Sequence, residues 1–214
     1  MTINDLDAIY CLHCAENEDR YIRMNMQFKK INIADKITWW WTCYRNISNK
    51  IGDMLTQIHT DAYDKMREDS DSLYGRVFNC AFEHYTIVKT SYLRGMNNIL
   101  VFEDDIEFNG DGDWFNKVLN KVPYDYDICK LFHGYGPTEQ IPSFEQDIFE
   151  KKFAPSSTCA YLMNRIGMKE YINSADNMFM CADLNFMNIN IHNVNYYVNK
   201  YELIRLSNVA STII

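Results

Sequence analysis

In Asn98-Ile99-Leu100-Val101-Phe102-Glu103-Asp104-Asp105-Ile106-Glu107-Phe108, an apolar run meets three adjacent carboxylates. Ile99 to Phe102 shows no alternation, so it reads as a strand buried on both faces, as in the middle of an α/β sheet. The acids begin where that strand should end. Three neighbouring carboxylates repel one another, and a rigid strand end that holds them together points to a compensating cation, a hard divalent metal with oxygen ligands. Ligands of open α/β sheets bind at the carboxyl ends of strands, where this cluster falls. The plainer alternative is a solvated acidic turn. It ranks second, because a surface turn needs no buried strand to deliver it.

Upstream, Val77, Phe78, Ala81, Phe82, Tyr85, Val88, Lys89 and Tyr92 recur at helical spacing, and Gly95 is a natural stop, so a helix leads into the strand. His84 lies near its middle, where a packed, hydrogen-bonded histidine is the ordinary reading and a ligand contact the lesser one. Residues 46–75 carry little pattern. Ile51 to Ile58 suits a short helix, and the charged run from Asp61 to Ser72 reads as a mobile excursion or lid extending to residue 75, with a solvated helix as the alternative. Lys36 to Tyr44 is rich in β-formers. Its three consecutive tryptophans, Trp39 to Trp41, point to both faces, which puts one in the core and another at a rim or subunit contact and leaves a homo-oligomer open. Leu6 to Leu12 reads as the first strand, His13 to Glu18 as the loop leaving it, and Asp19 to Lys30 as a helix. Arg20 in the first turn runs against the helix dipole, so either a ligand phosphate or ribose or a surface salt bridge holds it there.

Downstream, residues 109–113 are turn-like, and Trp114 to Lys121 is a short helix ended by Pro123. Ile128 to Phe132 reads as a strand, His133 to Pro137 as the turn after it, and residues 138–152 as a loop. Ser157 to Met163 is a strand, Arg165 to Ile172 a helix, Leu184 to Ile191 a further helical stretch, Val194 to Val198 a late strand, and Ser207 to Ile214 a tail.

A chain of 214 residues suits one domain with a full core. Its 47% hydrophobic and 14% aromatic content is globular, and a net charge of −8 argues against non-specific binding to nucleic acid. Acidic ligands would be met by a metal or a few Arg and Lys. No run approaches the ~20 apolar residues of a membrane span, and Met1 to Asp7 lacks the basic flank and apolar core of a secretion signal, so a cytoplasmic location is expected. Seven cysteines without framework spacing fit reduced core thiols, and Cys11-Leu12-His13-Cys14 has no second pair to complete a zinc site.

Taken in order, several segments resemble glycosyltransferase family 25, which includes lipopolysaccharide-type and collagen galactosyltransferases. Asp19-Arg20 with Met24 is similar to the family's aspartate-arginine pair opening a helix. Gly75, Cys80 and Glu83-His84 are similar to its glycine, cysteine and serine-histidine, with glutamate in place of serine, and Leu100 to Asp105 to its strand ending in glutamate-aspartate-aspartate. Tyr126-Asp127-Ile128, Thr158-Cys159-Ala160-Tyr161, Asp183 and Ser211-Thr212-Ile213 continue the likeness. The first loop departs from it, with His13 and Cys14 where asparagine and aspartate-like residues are common. The resemblance implies a Rossmann-like GT-A domain over residues 1–214, α/β with a mixed, mostly parallel central sheet flanked by helices. It further implies a UDP-type nucleotide-sugar donor, a glycan or glycoprotein acceptor, and Mn2+ or Mg2+. On that reading Asp105 and Glu103 serve the metal, Glu103 and Asp104 meet metal-bound water or the donor ribose, and Arg20, His13 and His84 face the donor.

The chemistry stands beside the resemblance. Sugar transfer leaves a diphosphate with developing negative charge, which a divalent ion stabilises as a Lewis acid. Asp69-Ser70-Asp71, Asp111-Gly112-Asp113 and Asp125-Tyr126-Asp127 also match a DxD pattern, but only Glu103-Asp104-Asp105 directly follows an apolar strand. Inverting transfer requires a carboxylate to take the acceptor's proton. Asp183 is the candidate, with a helix cap before Leu184 as its alternative. Two rivals remain: a metal-dependent phosphoesterase or nuclease, which would call for a second metal-binding cluster, and a nucleotide-sugar-binding module without catalysis.

Overall fold

The structure, a computed structural model, describes residues 1–15, 17–42, 73–132, 134, 139–141, 143–154, 156–177 and 182–207. Among these, the strands β1 (Ala8–Cys14), β2 (Ile37–Thr42), β3 (Asn98–Glu103), β5 (Ile128–Lys130), β6 (Phe149–Lys151), β7 (Ala160–Asn164) and β8 (Tyr196–Asn199) form one sheet in the order β2-β1-β3-β7-β5-β8-β6. Five strands run one way, and β6 and β7 run against them. A separate antiparallel ribbon joins β4 (Ile106–Phe108) to β9 (Ile204–Leu206). The helices are α1 (Glu18–Lys30), α2 (Leu73–Leu93), α3 (Gly112–Asn120), α4 (Arg165–Asn177) and α5 (Ala182–Met187). The mixed, mostly parallel sheet flanked by helices is therefore present.

Side-chain alternation along β3 sorts the helices into two layers. Leu100 and Phe102 enter a core with Met24 and Phe28 of α1 and Phe115, Val118 and Leu119 of α3. Ile99 and Val101 enter the opposite core with Tyr85 and Val88 of α2, Met168 and Tyr171 of α4, and Phe186 of α5. All four β3 residues are fully buried. Each such side chain contributes about 1.5–3 kcal/mol relative to exposure, which makes β3 a rigid base for the acids that follow it. The helix entering β3 stops as its glycine suggests: Gly95 adopts φ +79°, and Met96 N donates to Ser91 O at 3.1 Å.

Several boundaries differ from the sequence reading. His13 and Cys14 belong to β1 and not to the loop, because the ladder continues through their pairing with Trp41 and Thr42. The stretch 138–152, expected as a loop, contains edge strand β6, of which only Phe149 is buried, so no hydrophobic period marks it. β9 lies where no strand was expected, just before the tail. Of the expected mobile segment 61–75, residues 73–75 are helical in α2. Residues 61–72, the stretch from Ile51 to Ile58 and the ending from Ser211 lie outside the described residues. The five described cysteines, Cys11, Cys14, Cys80, Cys129 and Cys159, are buried and carry no disulfide. No described helix is long and apolar enough to cross a membrane.

Candidate functional site

β1 and β3 are parallel neighbours, so their carboxyl ends open on the same side of the sheet. β7 runs antiparallel to β3, and its amino end meets that same edge, where Glu103 N donates to Cys159 O at 2.9 Å. This crossing of strand directions gathers Glu103, Asp104 and Asp105 with His13 from β1, Arg20 from α1, His84 from α2, and Thr158 and Cys159 from the approach to β7.

The three acids have different surroundings. Asp104 is held by the chain on every side. Its Oδ1 accepts from Arg20 Nη1 at 2.6 Å, its Oδ2 lies 2.7 Å from His13 Nδ1, and its backbone oxygen accepts from Arg23 Nη2 at 3.0 Å. Burial raises its pKa, but the His13 hydrogen bond and the Arg20 charge outweigh this, so the carboxyl stays below the usual range. Each of the Asp104 oxygens expected to meet water or ribose thus has a partner within the chain. Glu103 Oε1 accepts from Thr158 Oγ1 and lies 3.1 Å from His84 Nε2, while Oε2 lies 3.7 Å from Cys159 Sγ. Burial pushes this carboxyl up too, and the His84 and Thr158 contacts more than offset it.

Asp105 lacks such support. Oδ2 is 3.8 Å from Arg20 Nη1, and Oδ1 is buried with no hydrogen-bond partner among the described residues. Burial, reinforced by the Glu103 charge and opposed by Arg20, pushes its carboxyl up to about 7. A buried carboxylate oxygen without a donor is the feature a cation would satisfy. The ligand atoms of Glu103, Asp105 and Cys159 lie within 4.8 Å of one another, and so do those of Cys80, His84 and Glu103. Glu103 and Asp105 therefore fit a divalent ion.

The remaining expected residues divide. Arg20 is in the site, but its surface salt-bridge alternative is replaced by a buried one: only 4% of the residue is exposed. His13 is 1% exposed and lies under Tyr21, Trp39 and Trp41, with ring centroids 5.0–5.8 Å away, so it acts on Asp104 from behind. Trp41 is about half exposed at the rim, as one tryptophan was expected to be. His84 is fully buried between Glu103 and Tyr161 Oη, which matches its packed reading. Asp183 is the second residue of α5, inside a helix that begins earlier than expected, and its side chain lies outside the described residues. Sequence reasoning missed Thr158, Cys159 and Arg23. Arg23 is one turn beyond Arg20, and its Nε and Nη1 are buried without a hydrogen-bond partner among the described residues. The helical spacing of Arg20 and Arg23 was a legible signal, whereas the approach of Cys159 to Glu103 depends on β7 running antiparallel.

No protein-family model and no curated protein matches the sequence. Among solved structures, the crystal structure of mouse xyloside xylosyltransferase 1 in its apo form is similar at 10% sequence identity and a TM-score of 0.39, over 85% of this chain and 80% of that one. So distant a likeness carries no argument about activity, which has to come from the residues.

Proposed function

We propose that this protein is a glycosyltransferase of the GT-A type, moving a sugar from a nucleotide-sugar donor to a hydroxyl of a glycan or glycoprotein acceptor. The observation that carries the reading is Asp105 Oδ1, buried and without a hydrogen-bond partner among the described residues at the carboxyl end of the central strand. Asp105 and Glu103 hold the divalent ion, Mn2+ or Mg2+ on the family resemblance. When bound, that ion supplies positive charge to the diphosphate leaving group.

The chain's own groups do the rest. Arg20 and His13 hold Asp104 ionised and fixed, so the turn carrying Asp105 keeps one geometry. Arg23 offers N–H groups suited to a phosphate oxygen. His84 and Thr158 keep Glu103 ionised for the cation. As the acceptor oxygen bonds to the anomeric carbon and the bond to the diphosphate breaks, Asp183 takes the acceptor's proton, which suits an inverting transfer.

Calorimetric titration with a uridine or guanosine diphosphate, with and without Mn2+, tests the reading. Wild type binds only with the ion, Asp105→Ala binds under neither condition, and Asp183→Asn binds normally while losing most of its turnover with the matching nucleotide sugar. Full affinity in Asp105→Ala would sink the metal assignment, and hydrolysis of the diphosphate by wild type would favour a phosphoesterase.

A further inference from the structure

The donor set around Glu103 contains sulfur. Glu103 Oε1 is occupied by Thr158 and His84, and Oε2 accepts from the Cys159 thiol at 3.7 Å, a proton that a bound ion would displace. Asp105 contributes a ligand atom within 4.8 Å of both, and its Oδ1 has no hydrogen-bond partner among the described residues. With metal–oxygen bonds of about 2.0–2.2 Å and a metal–sulfur bond of about 2.3 Å, an oxygen-to-sulfur edge of a tetrahedral site is roughly 3.5 Å. The Glu103–Cys159 separation is already close to that edge. Cys159 reaches this position because Glu103 N is hydrogen-bonded to its carbonyl, so the sheet ladder itself holds the thiol against the acids. The side chains of Glu103 and Asp105 are 12% and 13% exposed, so the group is not sealed from solvent.

We propose that Cys159 is the third protein ligand of the ion held by Glu103 and Asp105, giving a two-carboxylate, one-thiolate site that favours zinc-class ions over manganese and magnesium. The inference rests on the metal site of the function proposed above and deepens it by naming the class of ion. Thiolate ligands favour Zn2+ and Co2+, whereas all-oxygen sets suit Mn2+ and Mg2+. Because almost any nitrogen, oxygen or sulfur site binds Zn2+ more tightly than Mn2+, preference for zinc alone proves nothing. The diagnostic quantity is how far the preference changes when sulfur is replaced by oxygen.

Metal-free full-length protein is titrated with Co2+, Zn2+ and Mn2+ as wild type, Cys159→Ser and Cys80→Ser. The cobalt form of wild type should show a near-ultraviolet thiolate-to-cobalt charge-transfer band. Cys159→Ser should lose that band, and its zinc-to-manganese affinity ratio should fall by about tenfold or more. Cys80→Ser should keep both, provided its circular dichroism matches wild type. No thiolate band in wild type, or an unchanged ratio in Cys159→Ser, overturns the proposal. A band lost in Cys80→Ser and kept in Cys159→Ser places the ion between Cys80, His84 and Glu103 and overturns it equally. Failure of the parent reading looks different: the band forms and depends on Cys159, yet no nucleoside diphosphate binds with any ion. Conversely, ion-dependent nucleotide binding without a band leaves the parent reading standing and removes the thiolate.

Discussion

Glu103, Asp104 and Asp105 are neighbours of one chemical kind, and their partners give them different properties. Asp105 takes up its proton at about 7 in the folded chain against 3.8 when unperturbed. The groups facing it are Glu103, Asp104, Arg20, Cys159 and Cys11. Between those two pH values the folded state holds more protons than the unfolded state, so this group makes the metal-free protein less stable as pH rises from about 4 to about 7. Asp104 and Glu103 are depressed, and their contributions are lost only as pH falls through and below the ordinary carboxylate range. Asp105→Asn should therefore unfold at a higher temperature than wild type at pH 7 without metal, with the difference shrinking toward pH 4. Parallel pH profiles of the two melting temperatures would clear Asp105 of this role. Arg20 acts in the opposite sense. Both partners of its 2.6 Å contact with Asp104 are over nine-tenths buried, so Arg20→Met should cost about 3–5 kcal/mol by leaving the buried Asp104 charge to His13 and the Cys14 N–H. Adding Asp104→Asn should restore part of the loss in urea denaturation.

At the level of elements, the close approach of α4 to the sheet rests on one missing side chain. A Cβ on Gly167 would stand 2.1 Å from the Asp127 carbonyl oxygen, and backbone cannot step aside as a flexible side chain does. Asn164 fixes the helix start, its Oδ1 accepting from Ile166 N and Gly167 N at 2.9 Å. Gly167→Ala should therefore lower stability by about 2–3 kcal/mol, as overpacking does, without changing metal affinity in the molecules that remain folded. A cost near zero by chemical denaturation would mean that the helix shifts freely. Asp111 illustrates a related limit on sequence reading. It looks like one more acid of a DxD pattern, yet its side chain accepts from Trp114 N at 2.9 Å and caps α3, a role worth about 1 kcal/mol.

Over the whole molecule, the acids are clamped from both ends of the chain. The amino-terminal β1 and α1 supply His13 and Arg20, while β9 pairs with β4 and leads to Ser207, whose N–H donates to Asp105 O at 2.7 Å. Ile204 is 2% exposed in the core beneath this ribbon. Ile204→Ala should cost about 2–4 kcal/mol through the cavity it leaves, and should also weaken metal binding by freeing the turn at Asp105. Loss of stability with unchanged cobalt affinity would show that the ribbon supports the fold and leaves the turn unaffected.

Local composition was enough to identify β3, the helix before it and the acids after it, because an unbroken apolar run is a strong burial signal and charge cannot follow it inward. Arg20 was legible as an oddity, because arginine in a first turn runs against the helix dipole, whereas His84 read as an ordinary packed histidine. Short strands with one buried residue, such as β6, carry no period and left no trace. Which acid keeps an unpartnered oxygen was decided elsewhere. Asp104 rather than Asp105 receives Arg20 and His13, and Cys159 meets Glu103, because β1 lies parallel to β3 and β7 lies antiparallel to it. Strand direction and register are properties of the assembled sheet, so residues from four distant segments become neighbours only once it closes.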